Sequence, residues 1–215
     1  MSELNKNRMV LLLIAGIPLT MILAASWLWY FVARGELDLV GALGTANQGT
    51  LVQPPRQLDD YALYEGDLPS SIAELVPKWT LLVPTQDANC DLECERSLYM
   101  TRQIHVAIGK DFKRIRRIFV SVNDIDAMTL EVSELSDGHP APPNFAAYLA
   151  NEHRGLRAWR TDEDGFSSLF AELEADPTIW YLVDPRGWVM MSYNADIPYK
   201  DVISDLKFLL KNSSN

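Results

Sequence analysis

The sequence is poor in the residues that most catalytic and metal sites use. It has 2 cysteines and 3 histidines among its 215 residues. It contains no glycine-rich phosphate loop, no H-E-x-x-H zinc motif and no serine in a nucleophile elbow. The sequence therefore lacks the usual signatures of nucleotide binding, metalloprotease activity and serine hydrolysis. The two cysteines, Cys90 and Cys94, are left as the centre of any chemistry.

Positive charge is also scarce. The formal net charge is -10, which argues against a nucleic-acid partner. The only basic cluster lies within residues 110–117, and its simplest interpretation is a solvated helix end. The chain shows no internal repeat and no low-complexity segment. Its composition is that of an ordinary globular protein.

The N-terminal region is the exception to that composition. Residues 9–32 form an uncharged, mostly apolar run of 24 residues, which is long enough to span a bilayer. The run exceeds the apolar core of a cleaved signal peptide, about 7–15 residues, and no A-x-A site ends it. Trp27, Trp29 and Tyr30 cluster at its end, as residues at a membrane interface do. The pattern predicts an uncleaved signal anchor.

The flanking charges predict the orientation of this anchor. Lys6 and Arg8 precede the span, so the positive-inside rule places the N-terminus in the cytoplasm and the rest of the chain outside. We therefore predict a cytoplasmic tail at 1–8, a transmembrane anchor at 9–32, a linker at 33–43 and an exported domain at 44–215. For a bacterial protein, this means a single-pass inner-membrane protein whose C-terminal domain is periplasmic, where a cysteine pair can be oxidised.

The exported part has the pattern of a mixed α/β domain. An apolar strand at 79–84, a helix from about Cys90 to Ile108 that carries both cysteines, and a second strand at 117–122 form a β-α-β unit. This arrangement puts Cys90 and Cys94 at the helix N-terminus. Further elements are a helix at 144–152 capped by Asn144, a strand at 156–159 and a helix at 164–174. Two strands at 179–183 and 188–193 form an antiparallel hairpin, and an amphipathic helix at 197–210 ends the domain.

This order, with a C-x-x-x-C motif after the first core strand, resembles the thioredoxin superfamily. It is most similar to the Sco branch, in which membrane-anchored copper proteins serve cytochrome c oxidase assembly. The resemblance covers residues 41–210 and includes an Asn-Gln-Gly turn after the anchor and the paired segments 119–123 and 181–187. It implies an α/β fold: a thioredoxin-like mixed sheet flanked by helices, preceded by one N-terminal transmembrane helix. It also implies copper as cargo and a respiratory complex subunit or assembly factor as partner.

Two positions depart from the Sco pattern. Glu95 stands where Sco proteins have proline after the second cysteine. Pro177, in Asp176-Pro177-Thr178, stands where they have a copper-binding histidine. The resemblance to thioredoxins implies instead that Pro177 is a cis proline that packs beside the cysteines.

The residues therefore leave the chemistry open. Cys90 and Cys94 are candidate Cu(I) ligands, and His139 is the candidate third ligand because its loop leaves the same sheet edge. His105 lies about 16 Å along the helix from Cys94 and is excluded. For redox chemistry, a helix N-terminus favours thiolates, whereas the neighbouring acidic residues Asp91, Glu93 and Glu95 disfavour them.

Three functions remain. The first is assistance to oxidase assembly through copper handling or thiol redox of a partner. The second is periplasmic thiol-disulfide oxidoreductase activity, with Pro177 on the substrate side, and this is the only enzyme class that the sequence suggests. The third is a non-catalytic assembly scaffold whose disulfide is structural.

Overall fold

The structure, a computed structural model, describes residues 3–33 and 47–213. The chain divides into two compact units, residues 1–46 and 47–215. The predicted linker at 33–43, apart from residue 33, lies outside the described residues, as do residues 44–46 at the start of the exported domain.

The first unit contains one long helix, α1 (Glu3–Ala33). Within it, Leu12–Phe31 is a stretch of 20 residues with a mean hydropathy of 1.9, none of it buried inside the protein. By length and composition this helix is able to cross a membrane, a criterion that a signal sequence also meets. The prediction of one N-terminal helix long and apolar enough to span a bilayer is confirmed.

The second unit is built on a mixed sheet of 8 strands. The spatial order is β1 (Thr50–Gln57), β10 (Trp188–Tyr193), β9 (Trp180–Val183), β4 (Trp79–Thr85), β6 (Ile115–Ser121), β8 (Arg157–Arg160), β2 (Leu63–Glu65) and β3 (Leu68–Ser70). β4 runs parallel to β6 and β6 runs parallel to β8, whereas β9 is antiparallel to β4. A separate parallel pair joins β5 (Asn89–Cys90) to β7 (Thr129–Leu130).

The central strands are buried on both faces, which explains their continuous apolar sequences. Successive side chains of a strand point to opposite faces. Leu81 and Val83 therefore pack into one core cluster while Leu82 packs into the other. The helices α2 (Leu92–Ala107), α3 (Phe145–Glu152) and α5 (Tyr199–Asn212) contribute to the first cluster, and α4 (Glu163–Leu169) contributes to the second.

The turn between β9 and β10 follows the predicted hairpin chemistry. The N–H of Gly187 donates to the carbonyl of Asp184 at 3.0 Å, and Gly187 has a φ of +91°. An added Cβ at this position would meet Ile72. Glycine is therefore required both for the left-handed backbone and for the close approach.

The predicted fold class, a thioredoxin-like mixed sheet with flanking helices after an N-terminal apolar helix, is confirmed. The prediction that both cysteines lie on the helix is wrong for one of them. Cys90 belongs to β5, and α2 begins at Leu92 after Asp91 as its N-cap. The difference arises because β7, about forty residues further along the chain, extends the backbone at Cys90 by pairing with it.

Candidate functional site

Cys90 and Cys94 form a disulfide at the entrance to α2, with their Cα atoms 5.2 Å apart. This separation agrees with the distance expected for residues four apart at a helix start. The two cysteines differ in exposure. Cys90 is 0% exposed, whereas Cys94 is partly exposed.

Backbone hydrogen bonds hold both cysteines, Cys90 through a distant strand and Cys94 through the neighbouring Asp91. The carbonyl of Cys90 accepts a hydrogen bond from the N–H of Glu131 at 2.8 Å, beside the pairing of Cys90 with Leu130. The carboxylate of Asp91 accepts from the N–H groups of Glu93 (3.1 Å) and Cys94 (3.0 Å). Asp91 is therefore an N-cap that satisfies two free donors of the first helical turn.

Glu95, the residue that follows the second cysteine, is buried at 1% exposure. Its carboxylate accepts from the N–H of Ser136 at 3.0 Å, from the Ser136 hydroxyl and from the Tyr148 hydroxyl at 3.3 Å. Burial and the nearby Glu95 raise the pKa of Tyr148 well above its usual value. Glu95 thus points into the protein and attaches the first turn of α2 to the loop after β7, instead of surrounding the sulfurs with accessible negative charge.

A second set of buried polar residues, Arg117 and His153, lies against Tyr148. Arg117 on β6 is 4% exposed, and its Nη1 donates to Nδ1 of His153, which is 2% exposed, at 3.0 Å. Burial, with the positive charges of Arg117 and Arg102, lowers the pKa of His153 to about 3. Its ring is therefore neutral, with Nδ1 as acceptor and the proton on Nε2. The Tyr148 ring packs edge-on against it at 4.6 Å between centroids.

Pro177 has a different geometry from the one predicted. The peptide bond before it is trans; among the described residues only Gln53–Pro54 is cis. Pro177 lines a cavity of about 310 Å³ with Phe166, Phe170 and the end of β4, and neither cysteine lines this cavity. The backbone at this point is held by Asp176, which accepts from the N–H (2.9 Å) and hydroxyl (2.7 Å) of Thr178. The catalytic role of Pro177 stays a prediction.

His139 lies on the surface. Its side chain is 74% exposed, and its Nδ1 is 3.1 Å from the carboxylate of Asp137. Asp137 in turn pairs with Arg102 at 2.9 Å. Within residues 3–33 and 47–213, no group of three or more His, Cys, Asp or Glu side chains is arranged to hold a metal ion. The structure therefore does not bring His139 together with Cys90 and Cys94.

A protein-family model described as "Transmembrane-like, thioredoxin-like, C-terminal domain" matches residues 79–213. This match runs from β4 to the end of α5 and includes both cysteines. The chain belongs to this family. The family's description agrees with an apolar N-terminal helix followed by a thioredoxin-like domain. No curated protein matches the chain significantly.

Solved structures with a similar fold include Sco proteins. Sco1 from yeast is 14% identical, with a TM-score of 0.52 over 79% of this chain and 99% of that chain. Apo Sco1 from Thermus thermophilus is 17% identical, with a TM-score of 0.51 over 77% and 99% of the two chains. Yeast Sco1 with copper bound is 12% identical, with a TM-score of 0.50 over 80% and 97%. The predicted resemblance to Sco proteins is confirmed, and these similarities concern the fold.

The family member described here does not offer the donor set of a resident copper site. Cu(I) prefers soft thiolate ligands, and the only two sulfurs of cysteine are bonded to each other. Reduction would release two thiolates, but no histidine, cysteine or carboxylate of the described residues joins them as a metal group.

The sequence interpretation missed Glu95, Arg117 and His153 as buried polar residues. For two of them, the sequence contains a periodic pattern that predicts burial. Arg117 lies between Ile115 and Phe119 at alternate positions of a strand, which places it on the same inward face. Glu95 precedes the buried Leu98 by three residues on α2, so it shares that helix face. A charged residue at a position that periodicity assigns to the core indicates a buried polar contact.

Proposed function

We propose that this membrane-anchored thioredoxin-like protein exchanges disulfides with a partner's cysteine pair through Cys90 and Cys94. The observation that supports the proposal is the unequal exposure of the two bonded cysteines, Cys94 being partly exposed and Cys90 buried. Disulfide exchange needs one sulfur that a partner can reach and a second that resolves the mixed disulfide.

In the reducing direction, the Cys94 thiolate attacks one sulfur of a partner disulfide. A Cys94–partner bond forms, and the partner's other sulfur leaves as a thiolate and takes a proton. The Cys90 thiolate then attacks the sulfur of Cys94 and releases the partner's second sulfur. Two electrons have passed to the partner, Cys90 and Cys94 are again a disulfide, and an external dithiol reductant restores them.

We place this chemistry in the periplasm, with α1 in the bacterial inner membrane. The positive charges of Lys6 and Arg8 before the apolar span support this orientation, and a disulfide suits an oxidising compartment. The shared fold with Sco1 supports a role in cytochrome c oxidase assembly, with a respiratory complex subunit or an assembly factor as the partner. The reacting groups on the partner would be its copper-ligand cysteines.

The reduction potential of the pair tests this proposal. We expect the full chain in detergent, equilibrated with glutathione buffers, to titrate at a potential above about -300 mV. Cys90→Ala retains the accessible sulfur and should accumulate a mixed disulfide with glutathione, whereas Cys94→Ala should accumulate much less. A potential below this value, or equal trapping by the two variants, would contradict the exchange mechanism.

Copper handling is the second candidate, supported by the C-x-x-x-C pair and by the fold shared with copper-bound yeast Sco1. Anaerobic titration of the reduced chain with Cu(I) separates it from the first. Stoichiometric binding that Cys90→Ala abolishes would favour copper delivery, with His139→Ala as the test of the third ligand. Absence of binding at micromolar copper would exclude it.

The third candidate, a scaffold with a structural disulfide, makes the opposite prediction. Its activity in oxidase assembly would survive replacement of both Cys90 and Cys94 by serine. Loss of assembly in that double variant, with normal amounts of folded protein in the membrane, would exclude a purely structural role.

A further inference from the structure

The basic cluster of the sequence becomes a defined surface in the folded domain. Gly109–Arg114, the 3-10 segment after α2, lies beside the last turns of α5, and the two segments line a shallow cavity of about 650 Å³. We call this surface the basic patch: Lys110, Arg114, Lys207 and Lys211 line the cavity, and Lys113 is counted with them because it belongs to the same 3-10 segment. It is unusual for this domain, because residues 47–213 contain 26 acidic and only 16 basic side chains.

Four of the five cations have no partner in the domain. The Arg114 guanidinium is used internally, since it donates to the carbonyls of Leu210 (2.7 Å) and Ser213 (3.0 Å) at the end of α5. It also pairs with Asp111, the acidic residue that lines the patch. The four lysines are exposed and make no hydrogen bond or ion pair with any residue of the described chain. Their charge is therefore available to an external anion.

Apolar side chains are exposed in the same two segments. Phe208 is 61% exposed and lies between Lys207 and Lys211 in the sequence of α5. Phe112 is 46% exposed in the 3-10 segment between Lys110 and Lys113, with one face of its ring stacked on His105 at 3.9 Å between centroids. Lysines interspersed with exposed aromatic residues are typical of protein surfaces that lie at the headgroup level of a bilayer.

The first described residues of the domain contact the same helix, α5. The N–H groups of Gln48 and Gly49 donate to the carboxylate of Asp205 on α5, at 2.9 and 3.1 Å. Asp205 lies six residues before Lys211, about 9 Å along the helix axis. The 13 residues from 34 to 46 span at most about 47 Å, which is the greatest length of chain available between the end of α1 and the start of the domain.

We propose that the basic patch docks the domain on the surface of a bilayer that contains anionic phospholipids. The lysines would contact the lipid phosphates while Phe112 and Phe208 enter the headgroup region. An acidic protein surface would pair with the lysines. It would not explain the exposed aromatic side chains, nor why the segment from α1 enters the domain at α5. The proposal rests on insertion of α1 and is independent of the cysteine chemistry.

Docking would also orient the disulfide. The patch follows the C-terminus of α2, and the cysteines lie at its N-terminus. The helix has 16 residues, which corresponds to about 24 Å. The Cys90–Cys94 disulfide would therefore be held away from the bilayer, at the opposite end of α2 from the patch, where a partner's exported domain can reach it.

Lysine labelling of the full chain in nanodiscs tests the proposal. The chain is inserted through its own α1 into discs of phosphatidylcholine alone or of phosphatidylcholine with phosphatidylglycerol, and acetylation rates are measured by mass spectrometry. We expect Lys110, Lys113, Lys207 and Lys211 to react at least about fivefold more slowly in the anionic discs. Lys200, exposed at the other end of α5, provides the internal control because its rate should not change.

Charge reversal provides the second measurement. Lys207→Glu with Lys211→Glu should abolish the protection of Lys110 and Lys113 in anionic discs, whereas Lys200→Glu should leave it intact. High salt should remove the protection, since screening shortens the reach of surface charges. Equal rates in the two kinds of disc, equal protection of Lys200, failure of the chain to co-elute with discs, or protection only after addition of an acidic protein would overturn the proposal.

Discussion

At the scale of single residues, the site is characterised by polar side chains that are buried in the folded domain. Glu95 follows the partly exposed Cys94, yet its carboxylate accepts hydrogen bonds from Ser136 and Tyr148 inside the domain. The first turn of α2 is consequently coupled to the loop that carries Ser136.

Removal of this anchor should be costly for stability. We expect Glu95→Ala to lower the free energy of unfolding by about 2–4 kcal/mol, because it leaves the Ser136 and Tyr148 donors without their acceptor. Glu93→Ala, two residues earlier and partly exposed, should change it by less than about 0.5 kcal/mol. Urea denaturation of both variants measures the difference, and similar midpoints for the two would refute this interpretation of Glu95.

His153 should make the domain sensitive to acid. Its pKa is lowered from 6.5 to about 3 in the folded state, so the unfolded chain binds its proton at a higher pH than the folded chain does. The stability associated with neutral His153 is complete above pH 6.5 and is lost as the pH falls towards 3.

The expected slope is about 1.4 kcal/mol per pH unit. His153→Gln should be less stable at neutral pH but should lack this part of the acid dependence between pH 6 and 4. His139→Gln, at an exposed position, should keep the slope of the unsubstituted protein. Urea titrations across this range measure it, and an unchanged slope in His153→Gln would show that another group is responsible.

At the scale of elements, the site is the junction between a short strand and a helix. β5 holds Cys90 by pairing with β7, and Asp91 stops the strand and starts α2 within one residue. The disulfide spans this junction, so its two sulfurs belong to different elements. Cys90 is buried in the strand, whereas Cys94 is partly exposed in the first turn of the helix.

The cap at Asp91 should be a measurable part of this junction. We expect Asp91→Ala to lower the free energy of unfolding by about 1 kcal/mol, because the N–H groups of Glu93 and Cys94 lose their acceptor. Asp91→Ser retains an acceptor and should recover most of the loss. Thermal or urea unfolding of the oxidised proteins measures both effects, and a serine variant as unstable as the alanine variant would contradict the capping role.

At the scale of the whole molecule, the stability of the second unit comes from the sheet and its two core clusters, and little of it comes from the disulfide. The bonded cysteines are separated by only 4 positions, so the bond restricts the unfolded chain only slightly. Such a bond can open and close while the sheet keeps its structure. This property is required of a disulfide that exchanges with a partner.

Reduction should therefore leave the domain folded. We expect the loss of unfolding free energy on reduction to be about 2 kcal/mol, with the far-ultraviolet and near-ultraviolet circular dichroism of the folded protein retained. The Cys90→Ser, Cys94→Ser double variant is the control for the bond without reductant. Unfolding of the domain on reduction at room temperature would favour the structural disulfide.

Local sequence determined much of this protein. The apolar span, the β-α-β unit and the hairpin turn at Gly187 follow from periodicity, capping and turn chemistry, because they depend on residues close together in the chain. The cap of α3 is confirmed for the same reason, since Asn144 accepts from the N–H of Ala147 at 2.8 Å. The cysteine pair and its spacing were likewise visible as the candidate centre of the chemistry.

Only the tertiary structure decided how that centre is built. Cys90 lies in a strand because β7 pairs with it from a distant part of the chain. Glu95 is buried because Ser136 and Tyr148 are brought to it, whereas its acidic neighbours Asp91 and Glu93 stay at least partly exposed. The trans peptide before Pro177 and the exposure of His139 are also features of the folded chain that the resemblance did not anticipate. Contacts between residues far apart in sequence set burial and partnership, and neither composition nor spacing specifies such contacts.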